Sequence, residues 1–64
     1  MMMTPFQHGI ARSIKAKGFA TTEEMIKDGS FRLPEFKEME EKHLIVYDPL
    51  GLYYVAGPNF PELG

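Results

Sequence analysis

The sequence predicts an α+β fold, three short helices followed by a C-terminal β-hairpin, and a few local signals carry that expectation. Two are helix-start motifs, Thr4-Pro5-Phe6-Gln7 and Thr21-Thr22-Glu23-Glu24, each with a threonine three residues ahead of a Gln or Glu as a capping box requires. The third is the stretch from Leu33 to Ala56, LPEFKEMEEKHLIVYDPLGLYYVA, which reads as a proline-led amphipathic helix, an apolar run, a turn and a second apolar run.

The first helix begins at Pro5, whose ring suits the first helical position, and ends before Gly18 in a left-handed cap. Phe6, Ile10 and Ile14 recur every four residues with Ala11 beside them, so one stripe faces a core and Arg12, Lys15 and Lys17 face away. Gly9 costs this helix about 1 kcal/mol relative to alanine unless another part of the chain needs to come close there. The second helix starts at the Thr21/Glu24 box, turns Met25 and Ile26 inward, and stops at Asp28-Gly29-Ser30. Phe31 to Leu33 form an extended link, because a residue before proline avoids helical dihedrals, and Pro34 starts the third helix. Phe36 and Met39 lie on its inner face, with Glu35, Glu38, Glu40, Glu41, Lys37 and Lys42 outside.

Strands are expected at Leu44–Tyr47 and Leu52–Ala56. The intervening Asp48-Pro49-Leu50-Gly51 suits a type I turn with a bulge, in which Gly51 takes a positive φ. The last eight residues hold two prolines and two glycines, which excludes a helix or a central strand, so residues 58–64 read as an extended tail. Phe60 and Leu63 are placed to fold back as a lid, and residues 1–3 read as a frayed terminus. The whole chain, 1–64, is one domain.

With 64 residues and 44% hydrophobic content, there is room for one modest core. Cysteine is absent, so no disulfide or thiolate metal site supports it. No run approaches the roughly 20 apolar residues of a membrane span, and no basic-then-apolar leader is visible, so the cytoplasm is the expected location. A net charge of −2 is the wrong sign for gripping nucleic acid through the overall field.

The order of elements resembles the winged-helix domain, a helix-turn-helix variant, and Phe19 to Gly57 carry the likeness. Glu41-Lys42-His43-Leu44-Ile45-Val46, a turn, and Gly51-Leu52-Tyr53-Tyr54-Val55 are similar to the end of that family's recognition helix, its wing and both wing strands. A glycine usually stands where this chain has His43. Phe19 to Glu24 resemble the start of the family's second helix. The resemblance implies a winged-helix-like fold and a regulator that binds DNA. Two departures count against DNA: only Asp28 to Leu33 separates the helices, and the third helix presents mostly glutamates, which would oppose counterion release at phosphates.

The reading is therefore a small non-enzymatic module that binds a macromolecule, a protein in preference to bare DNA, as a monomer or weak homodimer. Leu50 and Tyr53 on the hairpin and Glu38 and Glu41 on the third helix are the candidate partner contacts. Arg12, Lys15, Arg32 and Lys37 are the phosphate contacts of the alternative, a transcription regulator; a further alternative is an assembly protein that self-associates through the hairpin. No catalytic set is expected, because adjacent glutamates on a helix point about 100° apart, and no cofactor or metal site is expected from His8 and His43, which stand far apart in the sequence.

Overall fold

The computed structural model describes residues 3–62 and gives α1 (Pro5–Lys17), α2 (Thr22–Asp28), α3 (Leu33–Glu41), β1 (Ile45–Asp48) and β2 (Tyr53–Ala56). Three helices followed by an antiparallel hairpin make the α+β arrangement that the sequence predicts.

Local chemistry fixes the helix ends. At the start of α1 the Gln7 N–H donates to Thr4 Oγ1 at 3.3 Å and the Thr4 N–H donates to Gln7 Oε1 at 3.0 Å, so the capping box closes in both directions. Gly18 and Gly29 end α1 and α2 with φ of 90° and 82°, a region where a Cβ is penalised. The α2 box closes only halfway. Thr21 Oγ1 accepts the Glu24 N–H at 3.1 Å, but the Glu24 carboxylate takes the Thr21 hydroxyl and the Lys17 ammonium, not the Thr21 N–H. Helix α3 begins at Leu33, one residue before the expected proline start, with Arg32 as an extended N-cap that supplies no side-chain bond.

The buried stripe of α1 is Gln7, Ile10, Ala11 and Ile14, and it meets Met25 of α2, Phe36 and Met39 of α3, and Leu44 and Ile45 at the base of the hairpin. Ile26, expected inward beside Met25, is 63% exposed. Neighbouring positions on a helix differ by about 100°, and a seven-residue helix that lays one edge on the core has room for one of the two. Gly9 has a packing reason: a Cβ there would lie 3.2 Å from Ser30 Cβ, where α1 passes the turn after α2.

In the hairpin, Ile45, Val46, Tyr47 and Asp48 pair with Ala56, Val55, Tyr54 and Tyr53 respectively. Both strands start one residue later than the sequence suggests, because the Leu44 N–H is spent on the Met39 carbonyl at the end of α3 and Leu52 closes the loop. Ala20 adds a third rung on the far side of β2, exchanging two bonds of 2.8 Å with Tyr54. Tyr54 thereby spends both backbone groups on Ala20, so Tyr47 opposite it is a non-hydrogen-bonded partner whose own N–H and C=O point to the outer edge of β1.

The turn departs from expectation in its strained residue. Gly51 does not have a positive φ; Leu52 does, at 58°. The Asp48 carboxylate accepts the Leu50 and Gly51 N–H groups at 3.0 and 3.3 Å, and the Asp48 carbonyl accepts the Leu52 N–H at 2.8 Å, which closes the loop with its left-handed residue last. Gly51 is needed for space instead, since a Cβ there would fall 2.2 Å from the Tyr53 ring.

The tail turns back on the domain. Gly57 donates to the Leu44 carbonyl at 2.9 Å and Asn59 to the His43 carbonyl at 3.0 Å, while Asn59 Nδ2 donates to the Lys42 carbonyl at 3.0 Å. These bonds brace His43, which has φ of 58° at the position where the family resemblance points to glycine. Phe60 rests against the core, as a lid would, and so does Met3 from the other end of the chain. The expectation for Leu63 falls outside the described residues.

Candidate functional site

Two regions carry side chains that the fold does not consume, the hairpin tip and the outer side of α3. At the tip Leu50 is 96% exposed and Leu52 70% exposed, with Pro49 between them and the strand. The two leucines stand out because the Asp48 carboxylate organises the loop from inside, turning their side chains away from it. Tyr53, the other hairpin candidate, is used internally: its ring stacks on Phe19 at 4.8 Å and lies over Gly51. Leu52, not Tyr53, is therefore the companion of Leu50 at the surface.

On α3 the glutamates do not form one face. Leu33, Lys37 and Glu41 recur every four residues and are all exposed, so they make the outward ridge. Glu35 and Glu38 lie on the flank toward α1, where Gln7 Nε2 donates to the Glu35 carbonyl at 3.1 Å and to Glu38 Oε1 at 2.6 Å. The Gln7 bond, followed by the charge of Lys42, lowers the Glu38 pKa below its ordinary value. Glu38 is thus half-buried and engaged within the fold, and of the two candidate glutamates Glu41 is the one that projects. Glu40 lies on the opposite flank, where its charge acts on Tyr54 of the hairpin.

The four basic candidates are distributed over separate surfaces. Arg12 and Lys15 are exposed on α1, and Lys37 is on the α3 ridge. Arg32 lies with its guanidinium over the Phe6 ring at 4.6 Å, which ties the turn before α3 to the start of α1. A shallow notch lies beside this contact, between Phe6 and Gly9 of α1 and the turn Asp28–Ser30. Among the described residues no three His, Asp or Glu side chains come together as a metal site. Among the described residues no helix is long and apolar enough to cross a membrane.

Sequence reasoning missed Leu52, Tyr47 and Glu40. Leu52 reads as the first residue of a strand until the four-residue loop is known to run over 49–52 and not 48–51, after which its place next to β2 marks the left-handed position. Tyr47 and Tyr54 are opposite each other only in the observed register. Their rings lie 5.1 Å apart, and Phe36 meets Tyr54 edge-on at 4.9 Å, so a line of aromatic rings leads from the core of the molecule out to Tyr47, which is 46% exposed. Neither a protein-family model nor a curated protein nor a solved structure matches this chain.

Proposed function

We propose that this protein is a small non-enzymatic binding module whose partner is another protein, contacted through the tip of the hairpin. The observation that carries this reading is Leu52: a β-hairpin loop places a leucine at φ 58° and leaves it 70% exposed beside a Leu50 that is 96% exposed. A left-handed leucine costs about 1–2 kcal/mol that glycine would not, and two projecting leucines gain nothing from the fold. Backbone strain combined with exposed apolar surface is the pattern of a contact site.

A second reading, binding of DNA, is favoured by one feature. Residues 29–32 join α2 to α3 in a four-residue turn containing glycine, within the span of a helix-turn-helix. Against it, α3 carries four glutamates and one lysine, and Arg32 is occupied by Phe6.

The test is a photo-crosslinking amino acid at position 50, expressed in the source cell, with adducts identified by mass spectrometry. A discrete protein adduct, lost when Leu52 is changed to aspartate, is the expected result. Adducts to nucleic acid, together with saturable, salt-sensitive shifts of the Arg12, Lys15, Arg32 and Lys37 amides on adding mixed duplex DNA, would replace it with the second reading.

A further inference from the structure

Away from the tip, where α3 meets β1, a line of aromatic rings runs from the buried Phe36 through Tyr54 to the exposed Tyr47. Tyr47 and Tyr54 are directly opposed on one face of the hairpin, their rings tilted by 57°. Phe36 touches Tyr54 on that same side, and Glu40, one helical turn beyond Phe36, lies on the same flank of α3. Their electrostatics agree with this placement: burial raises the Tyr54 pKa, and the charges of Glu40 and then Tyr47 raise it further. Glu40 is exposed, and the ion pairs among the described residues, Lys17–Glu24 and Lys42–Glu38, do not include it.

The backbone beside this cluster is also open. Tyr47 turns its N–H and C=O away from β2, and none of the described residues supplies them with a backbone partner. On one side of Tyr47 the edge is closed, because Ile45 is 1% exposed; on the other, Pro49 has no N–H to offer. The usable edge is a single rung centred on Tyr47.

We propose that this rung is a docking site for an extended protein segment bearing an arginine or lysine, which pairs its backbone with Tyr47 and lays its cationic side chain between the Tyr47 ring and the Glu40 carboxylate. The stereochemistry requires that combination. A residue paired directly with Tyr47 projects its side chain from the same face as Tyr47, within about 5.5 Å of it at Cβ, and the charge of Glu40 reaches that face at Tyr54. An aromatic ring and an unpaired carboxylate both favour a cation. With one rung to hold the backbone, the side chain supplies the selectivity, and the protein's net charge of −2 favours a basic segment on approach.

This inference rests on the protein-partner reading and is tested apart from it. The probe is the peptide acetyl-Thr-Val-Thr-Arg-Thr-Val-Thr-amide, titrated into the 15N-labelled protein, beside a peptide in which citrulline, the neutral isostere, replaces arginine. The expected result is saturable shifts of the Tyr47 amide and of the Tyr47 and Tyr54 ring protons. Citrulline, Glu40→Gln or Tyr47→Ala should each weaken binding about fivefold, the size of one exposed cation–ring or ion-pair contact. Glu40→Gln alters an exposed side chain, so unchanged amide dispersion separates lost binding from lost folding. Equal binding of the citrulline peptide, shifts scattered over other surfaces, or the same Tyr47 shifts with duplex DNA would each overturn the site. If the arginine peptide leaves Tyr47 unmoved while position 50 still cross-links to a protein, the docking site falls and the partner reading stands.

Discussion

Removing the Gln7 side chain should cost this domain a large share of its stability. Gln7 is fully buried, and its amide accepts from the Thr4 N–H, donates to the Glu35 carbonyl and donates to the Glu38 carboxylate. In Gln7→Ala the first bond is the cheapest to lose, since Thr4 is exposed and water can replace it. The bond to the Glu35 carbonyl is worth about 1 kcal/mol, whereas the Glu38 carboxylate is open to solvent and water can take over much of its bond. The void between α1 and α3 adds about 1 kcal/mol. The sum, about 2 kcal/mol, compares with a total of about 3 to 10 kcal/mol for a chain this short. At about 7 °C per kcal/mol for a domain of this size, the thermal midpoint should fall by about 14 °C. Urea titration and a thermal melt, both followed by circular dichroism, measure the two quantities, and a loss below about 1 kcal/mol would refute the account of Gln7 as the link between α1 and α3. Because Gln7→Ala could leave too little folded protein, Gln7→Glu provides a second route. It sets a carboxylate against Glu38, so its deficit at neutral pH should shrink in acid as the pair comes to share a proton.

Gly57→Ala should be more damaging than a change of one methyl suggests, about 2 kcal/mol or more, because its Cβ would lie 2.3 Å from the His43 carbonyl oxygen, which is backbone and cannot swing aside; a thermal melt unchanged within 2 °C would contradict this. Leu52→Gly should raise stability by about 0.5 kcal/mol, the left-handed strain relieved less the added freedom of the unfolded chain, whereas Gly51→Val should lower it by pushing Tyr53 off Phe19. Met25→Ala should cost about 2 to 4 kcal/mol and Ile26→Ser less than about 0.5 kcal/mol, which urea midpoints for the pair will distinguish. The Glu38 pKa is lowered in the folded state, so its contribution is present above its unfolded pKa and is lost as the pH falls through the lower folded value. Stability measured from pH 6 to pH 2 should decline over that window, and Glu38→Gln should flatten the decline.

The helix ends were legible because capping is local chemistry: Thr4 with Gln7, Gly18, and Asp28-Gly29 act within a few residues of one another. The hairpin was legible for the same reason, since Asp48 and Pro49 specify a tight loop before any long-range contact forms. The candidate sites were less so. Glu38 and Glu41 are alike in sequence, and only the packing of α1 against α3 binds one and exposes the other. Tyr53 and Leu52 exchanged roles because the loop ran one residue later than the pattern suggested, which turned Tyr53 onto Phe19 and left Leu52 outside.

By itself the sequence determined the class of fold, the order of its elements, Ile10, Ala11 and Ile14 of the α1 stripe, though not the replacement of Phe6 by Gln7 at its start, and the two residues that anchor α3, Phe36 and Met39, because periodicity and capping depend on neighbours in the chain. The tertiary structure decided what the surface offers. It gave Gln7 a second role as a buried bridge, split the glutamates of α3 between two flanks, and left Tyr47 at an open edge by joining Ala20 to the other side of β2. Those outcomes depend on which groups meet across tens of residues, and a hydrogen-bond donor or a charge is committed only when its partner arrives.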